Sequence, residues 1–216
     1  MQRLDGQATR VVRVGIACLA AVATAWTMPC GVTIVRAEEF ASAYTSTKPS
    51  LCRKTNRVMV GSDEYGSTRV CHGKAGYVVI VDDEDLRTTV TIMKRGKPTS
   101  KAVVAGSGSG GFSSVHDAVE WRGIKGAEPF AVILRWSIGD PDEATKAGFQ
   151  KDLPFLFVAR LGAAICTVAY VDTTAKQDAN ALARQVADQK ARAFKCGSDT
   201  VQLVGARGRA SEVFTP

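Results

Sequence analysis

The stretch AVVAGSGSGGFSSVHDAVEW, residues 102–121, decides between two folds. Its Gly106, Gly108 and Gly111 satisfy G-x-G-x-x-G directly after an apolar run. In a dinucleotide-binding βαβ unit such glycines make a tight turn and bring a pyrophosphate to a helix N-terminus, and an acid about 20 residues on binds the ribose. That reading would make the chain a parallel α/β protein. The residues that follow fit two periods. Phe112, Val115 and Val119 have helical spacing, whereas Val115, Val119 and Trp121 alternate with His116, Ala118, Glu120 and Arg122 as in a strand. The acid decides. Glu128 precedes the next apolar run instead of closing it, and Asp140, which does close it, lies 34 residues beyond Gly106. The stretch is a loop between strands, and neither a dinucleotide nor another cofactor is expected.

Strand signals surround it. In GYVVIVD, residues 76–82, both faces are apolar, as in a central strand buried on both sides. Leu86, Thr88, Val90 and Ile92 alternate with Arg87, Thr89 and Thr91, a half-buried strand. Phe130, Val132, Leu134 and Trp136 share one face, which makes Trp136 a core residue. The runs LPFLFVAR (153–160) and ICTVAYV (165–171) flank Gly162 as a hairpin, and TVQLVG (200–205) is a last short strand. One helix is expected, over about residues 175–195. Thr174 and Gln177 form a capping box, Ala179, Leu182, Ala183, Val186 and Ala187 lie on one face, and Gly197 stops it. The expected class is α+β, a mainly antiparallel sheet with one long C-terminal helix packed on one face.

The ends differ from the middle. Arg3, Arg10 and Arg13 precede an uncharged run from Val14 to Val35, the pattern of a secretory signal. Small residues precede two cleavage points, after Ala25 and after Ala37. Cutting after Ala37 leaves four cysteines, Cys52, Cys71, Cys166 and Cys196, and an even number suits an oxidising compartment. The expected organisation is a signal peptide over 1–37, a flexible polar leader over 38–51, a single domain over 52–205 and a flexible tail over 206–216. Such a product is periplasmic or secreted, with no stable membrane span after cleavage. Removing residues 1–37 takes away four arginines and one aspartate, so the net charge falls from +7 to +4. That mild excess points away from nucleic acid.

Four cysteines allow three pairings, and sequence alone does not settle among them. The favoured set is Cys52–Cys71, holding the leader to the sheet, with Cys166–Cys196, tying the helix end to the hairpin it covers. Catalytic signals are sparse. Ser113, Ser114, His116 and Asp117 are too close in sequence to face one another as a triad, and G-x-S-x-G is absent. His72 adjoins Cys71, a cysteine expected to be oxidised. The run Asp82-Asp83-Glu84-Asp85 lacks the alternate spacing and glycine of a calcium loop, and no zinc spacing occurs, so no metal is assigned. Binding residues are read instead in Trp121, Arg122 and Arg135, with Arg87 on the wet face of a neighbouring strand. Tryptophan and arginine dominate interfaces, and this arginine-bearing sheet face suits an acidic or planar partner.

The segments CHGKAGYVVIVDDEDLR, AVEWRGIKGAEPFAVILRW and ICTVAYVDTTAKQDANALARQVADQKARAFKC resemble, over most of the mature chain, small exported bacterial proteins of uncharacterised function. The resemblance implies export and a compact cysteine-containing domain, and transfers no catalytic residue. The sequence thus points to an exported non-enzymatic domain that binds a protein or an envelope component. The alternative is a small envelope enzyme, a hydrolase using His116 or the 82–85 carboxylates.

Overall fold

The computed structural model describes residues 38–58, 65–84, 86–105, 112–144, 146, 148 and 150–214. Residues 1–37, expected to be a signal peptide, the glycine-rich residues 106–111 and Asp85 lie outside them. Eleven strands form two sheets among these residues. Five of them make a simple antiparallel meander: β2 (Arg53–Val58), β3 (Tyr65–His72), β4 (Tyr77–Glu84), β5 (Arg87–Lys94) and β6 (Lys97–Ala105). The larger sheet has the order β1-β7-β8-β9-β10-β11, from β1 (Phe40–Ser46), β7 (Ser113–Ile124), β8 (Pro129–Ala144), β9 (Gln150–Arg160), β10 (Cys166–Asp172) and β11 (Gln202–Val204). Its pairings are antiparallel except β10 with β11, which is parallel.

Two-residue alternation explains the layering. On β8, Val132, Leu134, Trp136 and Ile138 point toward the meander and meet Val79, Val81, Val90 and Ile92 in one core. The intervening Ala131 and Ile133 point the other way, into a second core with Leu156, Val158, Ala183 and Val186. The six-stranded sheet is therefore a middle layer, buried on both faces by the meander on one side and a helix on the other. Glycines fit the hairpins: Gly96 and Gly126 take φ of 72° and 83° in the β5–β6 and β7–β8 turns.

The expected class needs correction. The protein is a two-sheet β-sandwich, not a single sheet with a long C-terminal helix, and the helix is short. Helix α1 covers Ala179–Val186 and loosens into a π-turn over Ala187–Ala191. The late start of α1 follows from Asp172, which has no exposed surface. Its Oδ1 accepts from the backbone and hydroxyl of Thr174, and Gln177 Nε2 donates to the Asp172 carbonyl at 3.3 Å. The two residues expected to cap the helix are thus spent in a turn, and Asp178 caps α1 by accepting from Ala181 N at 3.0 Å. Cys196 then bonds back to Cys166, and Cys52 to Cys71, the favoured pairing in both cases.

The chain ends also take part. Inside the polar 38–51 stretch, β1 pairs with β7, with Phe40 opposite Ile124 and Ser46 opposite Ala118. In the 206–216 stretch, α2 (Arg209–Val213) sets the buried Phe214 against Trp136, Phe155 and Tyr170. No helix among the described residues is long and apolar enough to cross a membrane.

Candidate binding cleft

At one end of the sandwich the β4–β5 turn meets the start of β7. The contact is built from backbone and hydroxyl groups. Ser113 N donates to Leu86 O at 3.0 Å, Thr88 N donates to Ser113 Oγ at 2.9 Å, and Gly139 N donates to Phe112 O at 2.8 Å. Trp136 Nε1 reaches Thr88 O from below at 3.4 Å. Between these elements and the ends of β8 and β9 opens a cleft of about 490 Å³, within the size range of small-molecule sites.

Its lip is apolar. Leu86 is 65% exposed and Phe112 41%, two large apolar side chains at one opening. Leu86 also sits at φ 61°, a left-handed conformation that a leucine adopts at an energetic cost. Its floor and walls are polar: Ser67, Asp83, Thr88, Ser113, Gln150 and Asp152. Asp83 accepts from Thr88 Oγ1 at 2.8 Å and pairs with Arg69 Nη2 at 3.2 Å. Gln150 Oε1 is buried and takes no hydrogen bond from the protein. The amide lies over Gly139, where a Cβ would come within 2.2 Å of that oxygen.

The residues singled out from the sequence are distributed differently. Arg87 lines the cleft, on the meander. Trp121 is 1% exposed, stacks on Tyr77 with centroids 5.8 Å apart, and donates Nε1–H to Thr45 Oγ1 at 2.8 Å. Arg122 faces α1 and the π-turn, where it holds Asp188. Arg135 is half-buried on the same sheet face, with Nη2 3.3 Å from Asn180 Oδ1. Register keeps Trp121 and Arg122 apart from Trp136: Arg122 stands opposite Ala131 and Trp121 opposite Val132, whereas Trp136 stands opposite Val115. The four residues do not share one surface. Beside them, Glu120 is 7% exposed and accepts from Arg184 Nε at 2.7 Å and Ser42 Oγ at 2.5 Å, a polar seam between β1, β7 and α1.

The serine–histidine–aspartate cluster splits across the sheet. Ser113 points toward Thr88, whereas His116 Nε2 lies 2.9 Å from Ser137 Oγ on the helix side. Asp82 accepts from Thr68 Oγ1 at 2.7 Å, so the described carboxylates of the 82–85 run do not converge on one point. Among the described residues no group of three or more His, Cys, Asp or Glu side chains is placed to hold a metal ion.

Leu86 and Phe112 escaped the sequence reading for different reasons. Alternation placed Leu86 on the dry face of a strand; it occupies the turn instead, and Thr88, Val90 and Ile92 carry the buried face. A bulky apolar residue directly after the acidic run, at a turn position, was the available signal. Phe112 directly follows the glycine-rich stretch, and the helical spacing it shares with Val115 and Val119 pointed to an element and not to a cleft. No family model, curated protein or solved structure matches the chain.

Proposed function

We propose that the chain is an exported, non-enzymatic domain, periplasmic or secreted, that binds another protein or an envelope component through the cleft at the end of the sandwich. The observation that carries this reading is the pair of exposed apolar side chains, Leu86 and Phe112, set over a polar floor. Two disulfides are consistent with an oxidising compartment, and the resemblance to small exported bacterial proteins agrees with it. The hydrolase alternative has less support. Ser137, the hydroxyl beside His116, has no exposed surface, and Asp83 is held by Arg69 and Thr88. A nucleophile or base must reach substrate.

A photo-crosslinking residue placed at position 112 in the exported protein tests the reading, with position 51 as control. Leu51 is 61% exposed and does not line the cleft. An envelope-derived adduct at 112 and none at 51 is expected. Equal adducts at both positions, or none at either, would remove the cleft as the binding site.

A further inference from the structure

We infer that the cleft takes a saccharide, an uncharged hydroxyl-rich ring whose C–H face lies on Phe112 and whose hydroxyls meet the polar floor. The inference rests on the reading of the cleft as a binding site and names the chemistry of its ligand. Charge argues first. The lining mixes Asp83, Glu84 and Asp152 with Arg87, and Asp83 is already compensated by Arg69 at 3.2 Å and Thr88 at 2.8 Å. Glu84 and Arg87 stand opposite each other in the β4–β5 register. An anion entering the cleft meets three carboxylates. A cation meets the same three carboxylates, of which Asp83 is already shared by Arg69 and Thr88, together with the positive charge of Arg87. A hydroxyl suits both signs, because one O–H donates to a carboxylate while its lone pairs accept from a guanidinium or a serine.

Hydrogen-bonding capacity argues second. Gln150 Oε1 is a buried acceptor with no donor from the protein, and leaving such an atom unmatched is costly. A ligand hydroxyl supplies that donor once the Gln150 amide, packed over Gly139, turns toward the cleft. Ser67, Thr88, Ser113 and Ser114 add further hydroxyls around the same space. Shape argues third. Phe112, 41% exposed, offers a flat apolar surface at the lip, and Leu86, 65% exposed, stands across the same opening. Sugar rings present such an apolar C–H face beside their hydroxyls. An extended peptide adding to a strand is a poorer occupant. At this lip Phe112 O is taken by Gly139 N and Ser113 N by Leu86 O, so the main-chain groups that strand addition uses are already bonded.

The test uses the full disulfide-bonded protein recovered from the envelope fraction. Saturation-transfer NMR and calorimetric titration are run with maltotriose, cellotriose and chitotriose, and with putrescine and citrate as the rival charged chemistries. At least one trisaccharide is expected to bind, with affinity weakened about tenfold or more in Phe112→Ala and in Gln150→Ala while both variants keep the wild-type melting temperature. Leu51→Ala is expected to bind as wild type. Silence from all three trisaccharides overturns the inference, as does trisaccharide binding that survives both cleft substitutions. Putrescine or citrate binding tighter than any trisaccharide, with the same dependence on Phe112 and Gln150, also overturns it. A cross-link at position 112 together with silence from the trisaccharides leaves the binding reading standing and removes the saccharide. Loss of both removes the site.

Discussion

The guanidinium of Arg122 holds the carboxylate of Asp188 in a two-point grip, Nε to Oδ1 at 2.8 Å and Nη2 to Oδ2 at 2.7 Å. Both side chains are largely buried, and Nη1 also donates to Ser42 Oγ at 3.0 Å, so one residue of β7 fastens the π-turn and β1 at once. The hydrogen bonds to Asp188, more than its charge, raise the Arg122 pKa above the ordinary arginine value, with burial opposing. An arginine so engaged is a brace within the domain. Arg122→Ala strands the Asp188 carboxylate, with an expected loss of about 2 kcal/mol. In a domain of this size that corresponds to roughly 4–8 °C in thermal denaturation followed by circular dichroism. Arg122→Lys keeps the charge but loses the fork and should fall between. Wild-type stability in Arg122→Ala would show that the brace is idle.

Gly73 is packed against the ring of Trp121. A Cβ at position 73 would lie 2.6 and 2.7 Å from two atoms of the six-membered ring, and 2.7 Å from the Tyr77 carbonyl. The indole cannot step aside, being fixed by its hydrogen bond to Thr45 and its stacking on Tyr77. The Gly73→Ala variant is therefore expected to lose about 2 kcal/mol by overpacking, with a change in tryptophan emission. Combining it with Trp121→Phe should recover part of the loss, because the two sites share the clash. Strict additivity in that double-mutant cycle would count against the contact.

How far the fold was legible follows from these elements. The strand of residues 76–82, apolar on both faces, is the central strand of the meander, and the two disulfides join the expected partners. Alternation marks a strand locally, but nothing local assigns it to a sheet. Strand β5 continues the meander to β6, while β7 begins a second sheet and pairs with β1, more than seventy residues earlier. The helix was over-read because its alanine-rich face is periodic beyond the point where the backbone leaves the α conformation. Its start depends on the needs of buried Asp172, which only the folded chain reveals. The cleft was legible only in Arg87, since Leu86, Phe112 and Gln150 meet through tertiary contacts.

Acid should loosen the C-terminal segment. Asp140 has no exposed surface, and its two oxygens accept from Arg209 Nε and Nη2 at 2.8 and 2.7 Å. Those bonds hold its pKa down to about 2. At Asp172 burial pushes the pKa upward, but hydrogen bonds from Ser211, Thr174 and Gly208 outweigh it and leave the net shift downward. A carboxylate with a folded pKa below its unfolded value of about 3.9 stabilises the fold above that value, and its contribution fades as pH falls toward the folded pKa. Both residues anchor α2, so Phe214 should leave its place beside Trp136 between about pH 4 and pH 2. Tryptophan fluorescence during acid titration checks this. In Asp140→Asn the transition should lose steepness, and an unaltered curve would exclude Asp140 as a driver.

His116 should resist protonation. Its Nε2 lies 2.9 Å from the fully buried Ser137 hydroxyl. Burial, and then the nearby positive charge of Arg135, pull its pKa below the usual histidine value, against smaller upward pulls from Asp152 and Asp117. The unfolded chain therefore takes up this proton at higher pH than the folded one. Folding stability should fall as pH drops below about 6.5, and the decline should end near the folded pKa, where both states are protonated. Proton NMR titration of the imidazole tests this directly, with a midpoint below the ordinary value expected. Removing the neighbouring positive charge in Arg135→Ala should raise that midpoint, and Asp152→Asn should lower it further. Because the two substitutions move the midpoint in opposite directions, a general loosening of the fold cannot mimic both. A histidine that titrates at its ordinary pH in all three proteins would mean that neither the Ser137 contact nor the neighbouring charges act on the imidazole.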